Sequence, residues 1–97
     1  MNDYVIFRKN AWPDEAALER AAGRSTRVAN DELEGRVRWI RSYIYEEADG
    51  TLGSVCIYQA TDRDVVFEHA RRADLACDDV RPIARTVIID ADPTPRS

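Results

Sequence analysis

The chain has 97 residues, 44% of them hydrophobic and 33% charged, with a net charge of −4. That is enough for one domain with a modest core, and the acidic balance excludes a nonspecific nucleic-acid binder, which needs a concentrated positive patch. No apolar run reaches the length of a membrane span, and the N-terminal residues lack the shape of a secretory signal, so a cytoplasmic protein is expected.

Residues 4–9 are rich in aromatic and β-branched side chains and read as a first strand, with Val5 and Phe7 on one face and Tyr4 and Ile6 on the other. Pro13 sits where a helix can begin without losing a hydrogen bond, and Asp14 and Glu15 suit the positive end of its dipole. Ala17, Leu18, Ala21, Ala22, Val28 and Ala29 give an apolar stripe at helical spacing, so one helix is expected to about Asn30, weakened at Gly23.

Residues 37–45 alternate next. Strict alternation puts Val37, Trp39, Arg41, Tyr43 and Tyr45 on one face, and Arg38, Ile40, Ser42, Ile44 and Glu46 on the other. Residues 47–50 form a turn signal ending in Asp49-Gly50, and residues 55–59 return as the partner strand of a hairpin.

Thr61 or Asp62 can cap a second helix, in which Val65, Val66, His69, Ala70 and Ala73 share a stripe while Arg71 and Arg72 face solvent. It should end near Asp74. Val80 and then residues 83–89 supply the last strand, and residues 93–97 look like a frayed tail.

The order strand–helix–strand–strand–helix–strand in a single domain, 1–97, predicts an α+β ferredoxin-like plait: a four-stranded antiparallel sheet with both helices on one face. Two helices cover only one side of such a sheet. The first two strands carry apolar and aromatic residues on both faces, so a partner sheet from a second copy is the expected cover, giving a homodimer.

Candidate chemistry is sparse. His69 is the only histidine, able to ligate a metal or shuttle a proton, although a lone helical histidine is more often a core residue with one hydrogen bond. Cys56 and Cys77 are the only cysteines and lack Cys-x-x-Cys spacing, so free thiols are expected, Cys56 buried and Cys77 more exposed. No glycine-rich phosphate loop is present. Ser25, Ser42, Ser54 and Ser97 show no base arrangement in sequence that suggests acyl transfer.

Three segments carry a family resemblance: the start at Tyr4-Val-Ile-Phe-Arg, the central VRWIRSYIYEEADGTLGSVCIYQA, and the block ATDRDVVFEHARRADLACDDVRPIARTVIIDADP. The likeness is strongest in WIRSY, in CIY and in EHARRADL followed by an Asp-Val segment. Together they resemble small bacterial nickel-binding, nickel-responsive proteins, formerly an uncharacterised domain family.

The resemblance implies a ferredoxin-like fold, a homodimer and a nickel ion. It implies His69, within EHARRA, as a metal ligand, and Cys56, within CIY, as a weaker one. Tyr43 and Glu68 match recurring positions of unassigned role. Two departures stand out. Relatives often follow the helix histidine with a Gly-aromatic-Pro turn where this chain has Asp74-Leu75-Ala76, and the central strand carries Arg41, whose charge would oppose a cation nearby.

The reading that follows is a non-catalytic nickel-binding protein for storage, buffering or response. One alternative is a small-molecule-binding protein, or a monooxygenase-like or isomerase-like enzyme, using an open-sheet cavity. The other is a structural dimerisation module.

Overall fold

A computed structural model describes residues 1–94. The elements run β1 (Asn2–Trp12), α1 (Glu15–Arg27), β2 (Val37–Glu46), β3 (Leu52–Ala60), α2 (Arg63–Arg72) and β4 (Asp79–Pro82). A π-helical turn, Val28–Glu32, extends α1. The sheet order is β2-β3-β1-β4 with every neighbouring pair antiparallel, which is the ferredoxin-like plait. Among the described residues, no helix is long and apolar enough to cross a membrane.

Both helices start on an aspartate. Asp14 Oδ1 accepts from the Ala17 N–H at 2.9 Å, and Asp62 Oδ1 accepts from the Val65 N–H at 2.9 Å. Each carboxylate meets an N–H that the first turn leaves without a helical partner. Gly23 does not interrupt α1. The hairpin reverses where the sequence places it, with Gly50 at φ +86°, a conformation that favours glycine.

Tyr4, Ile6 and Arg8 of β1, Ser54, Cys56, Tyr58 and Ala60 of β3, and Val80 of β4 form the buried inner face. Ile6, Tyr58 and Val80 pack in one apolar cluster with Ala21 of α1, Val28 beyond it, and Val66 and Ala70 of α2. The outer face holds Val5, Phe7, Val55 and Ile57, each half-buried, and the exposed Tyr43 and Tyr45.

Strict alternation fails in β2. Trp39 pairs with Tyr58, yet the next paired residue is Arg41, opposite Ile57, so Ile40 is an extra residue in a bulge. Val37 and Trp39 therefore face inward with Tyr58, whereas Arg41, Tyr43 and Tyr45 face outward. One inserted residue exchanges the faces of everything after it.

The last strand also departs from expectation. It is Asp79–Pro82, and residues 83–89 lie outside it. The cause is the length of its neighbour. Asp79 pairs with Phe7 and Pro82 with Tyr4, and the Ile83 N–H still donates to the Asp3 carbonyl at 2.9 Å. Beyond that point β1 has almost no residues left to pair with. Val87, Ile88 and Ile89 are consequently exposed by 63%, 79% and 90%, despite their β propensity. Asp92 reaches Arg41, with a 2.6 Å ion pair, and the Tyr43 hydroxyl donates to the same carboxylate at 2.9 Å. Pro93 and Thr94 are exposed, and the remainder of the expected tail, residues 95–97, lies outside the described residues.

Candidate functional site

The polar side chains of the interior gather between the sheet and the helices. His69, on α2, is 1% exposed. Its Nε2 lies 3.1 Å from both the Ser25 carbonyl oxygen and the Ser25 Oγ on α1. A carbonyl can only accept, so the proton belongs on Nε2, and Nδ1 is left as a bare lone pair with no partner among the described residues. Burial holds the imidazole below its usual pKa, and the nearby Arg8 guanidinium adds to that, while the bond to the Ser25 backbone opposes them. The ring is neutral at pH 7.

Arg8 is fully buried. Its Nη1 donates to the Ala76 carbonyl and its Nη2 to the Tyr58 hydroxyl at 2.9 Å, while Nε has no acceptor among the described residues. The guanidinium carbon lies 5.9 Å from the Trp39 ring centroid and 5.6 Å from that of Tyr58. Tyr58 in turn stacks on Trp39 at 5.5 Å and meets His69 edge-on at 5.4 Å. Burial, partly offset by Arg8 and Ser25, pushes the Tyr58 pKa up to about 12, so its hydroxyl stays neutral. Among the described residues, no carboxylate pairs with Arg8.

Of the residues singled out from sequence, His69 and Cys56 are both interior. Cys56 Sγ lies 3.1 Å from Ser54 Oγ, so the two candidate ligands contact different hydroxyls. Cys77 is half-buried, with a thiol pKa raised chiefly by that burial. Glu68 does not face the centre; it pairs with Arg71 and Arg72 at 2.6 Å each. Arg41, the charge expected to disturb a cation, lies on the opposite face of the sheet. The charge that does reach His69 is Arg8. Ser25, which shows no base in the linear sequence, lies against the histidine.

The sequence signal for Arg8 was present: it continues the Tyr4–Ile6 face by one more step of two. The pairing of Ser25 with His69 joins two helices 44 positions apart and has no local signature.

Over residues 4–83 the chain matches the family described as "Nickel responsive protein SCO4226-like". It belongs to that family. The crystal structure of SCO4226 from Streptomyces coelicolor A3(2) superposes with a TM-score of 0.68 at 14% identity, covering 88% of this chain and 99% of that one. At that identity the likeness shows the fold alone. No curated protein matches the sequence.

The SCO4226-like family name raises the question of how nickel fits these residues. A bare imidazole nitrogen is a competent donor, yet among the described residues no group of three or more His, Cys, Asp or Glu side chains could hold a metal ion. An ion on His69 Nδ1 would also sit in the field of a buried guanidinium with no carboxylate to offset it. The interior of one chain does not by itself make a nickel site.

Proposed function

We propose that this chain is a non-catalytic nickel-binding protein, serving nickel storage, buffering or response, and that it works as a homodimer. The observation that carries the reading is membership of the nickel-responsive family over residues 4–83. The dimer reading is supported by the outer sheet face, where Val5, Phe7, Val55 and Ile57 are only half-buried and Tyr43 is 47% exposed.

The family resemblance implies His69 and Cys56 as ligands, whereas electrostatics favours an ion outside the interior centre. The Arg8 charge repels a divalent cation there, and Nε2 of His69 is already engaged. Nickel takes imidazole nitrogen more readily than carboxylate oxygen, so surface carboxylates, which escape the guanidinium's field, would need donors from a second copy to hold it. Isothermal titration with nickel on wild type beside His69→Gln tests both parts. Saturable binding in both proteins supports the reading. No binding by wild type sinks it. Binding lost in a folded His69→Gln variant moves the ion inside, onto the imidazole.

A further inference from the structure

A cavity of about 200 Å³ opens at the end of α1, against the edge strand β2. Ser25, Thr26 and Asn30 line it with polar groups, and Ala29, Val37 and Trp39 with apolar ones. Arg38 also borders it, and no Asp or Glu does, in a chain with 18 of them. Two of its walls belong to the buried centre. Ser25 is the residue against His69, and Trp39 is the ring stacked on Tyr58 and lying over Arg8.

The centre behind those walls carries one positive charge and no negative one. A guanidinium withdrawn from water is costly unless a charge opposes it. Two aromatic faces offset part of this cost, and two acceptors satisfy two of its nitrogens, but Nε is without a partner among the described residues. Ser25 is placed to pass the positive character outward. Its Oγ accepts from His69 Nε2, so its own proton can turn either to the neighbouring Tyr58 hydroxyl or to a ligand in the cavity. Two carbonyls at the adjoining helix end, those of Val28 and Ala29, are taken by Leu33 N at 3.0 Å and Gly35 N at 3.1 Å, which lessens the negative character that end turns towards the cavity.

We propose that this cavity binds the carboxylate of a small, largely apolar organic acid, with Ser25 Oγ–H as its donor, Trp39 as its apolar wall and Arg8 as its countercharge. A monoanion matches the single buried cation. A dianion such as phosphate would exceed it and would lack donors for its remaining oxygens. The volume is equivalent to roughly six or seven waters, which suits an acid the size of benzoate. This site is independent of the nickel reading, since it uses none of the surface carboxylates.

The test uses the full chain labelled with ¹⁵N and titrated separately with benzoate, its neutral isostere benzamide, and inorganic phosphate. The Trp39 indole N–H and Arg8 Nε–H signals are followed, with the Trp12 indole, away from the cavity, as internal control. Benzoate should give saturable shifts at Trp39 and Arg8 but not at Trp12, and bind at least tenfold more tightly than benzamide or phosphate. Arg8→Met and Ser25→Ala should each weaken benzoate at least tenfold. Absence of saturable benzoate binding overturns the proposal. So does equal affinity for benzamide, tighter binding of phosphate, or undiminished binding in a folded Arg8→Met. Should Arg8→Met fail to fold, the benzoate-to-benzamide ratio of wild type and the Ser25→Ala result decide it.

Discussion

Arg8 on the first strand and Tyr58 on the third meet through a 2.9 Å hydrogen bond inside the protein, cation against neutral phenol, with no carboxylate among the described residues paired to the arginine. The two residues are not opposite each other in the ladder, where Arg8 pairs with Ser54 and Tyr58 with Tyr4. The long arginine side chain spans that offset along the inner face. This pairing sets the electrostatics of the interior and leads to the first prediction.

Removing one partner differs from removing the charge. Tyr58→Phe leaves Nη2 of a buried guanidinium without its acceptor and should destabilise the fold by about 1–3 kcal/mol. Arg8→Met removes the charge and keeps much of the side chain's volume, so it should be close to neutral or stabilising. Urea unfolding of the two variants beside wild type reads the difference. A larger loss in Arg8→Met than in Tyr58→Phe would contradict it.

Stability should also fall as pH drops from 7 towards 5. His69 is held below its unfolded pKa by burial, with Arg8 adding to the effect. Between the folded and unfolded values the unfolded chain binds a proton that the native chain refuses, so stability rises with pH across that interval and declines on acidification. The slope cannot exceed about 1.4 kcal/mol per pH unit for one group. Glu68 and Asp79, held down mainly by hydrogen bonds from their arginine neighbours, act at lower pH. His69→Gln should flatten the dependence between pH 7 and 5, measured by urea unfolding at each pH.

The bulge at Ile40 is the third point of attack. Deleting Ile40 removes the extra residue, and regular alternation then keeps Val37 and Trp39 inward and Arg41 and Tyr43 outward, in the same pairing with β3. The deletion variant should therefore fold with only a small change in Tm, read by thermal unfolding. A large drop would mean that the bulge itself, and not the alternation on either side of it, is required by the fold.

For the dimer, the outer face supplies the variant. Wild type should sediment at twice the 11.0 kDa chain mass, and Ile57→Asp, which places a charge at the middle of that face, should sediment as a monomer. Wild-type monomer at micromolar concentration, or an unaffected Ile57→Asp dimer, would contradict the proposed use of this surface.

Much of the architecture was legible in the residues themselves. Asp62 at the second helix start, the Asp49-Gly50 turn and the Val65–Val66–His69–Ala70 stripe each act over a few positions, and local patterns expose them. What escaped was set by distant partners. The bulge at Ile40 becomes visible only through its pairing with β3, and the short β4 only through the end of β1, which leaves Ile88 and Ile89 without a ladder. The burial of His69 followed from its stripe. Its hydroxyl partner on another helix, and the arginine that supplies the nearby charge, depended on how three separate elements pack.

The most direct test of the nickel account locates the ion. Nickel added to ¹⁵N-labelled protein should shift or broaden signals of surface residues, while His69, Ser25 and Tyr58 keep their positions. Selective loss or displacement of the His69 ring signals at the first additions of nickel would place the ion in the interior and contradict the claim that Arg8 keeps it out.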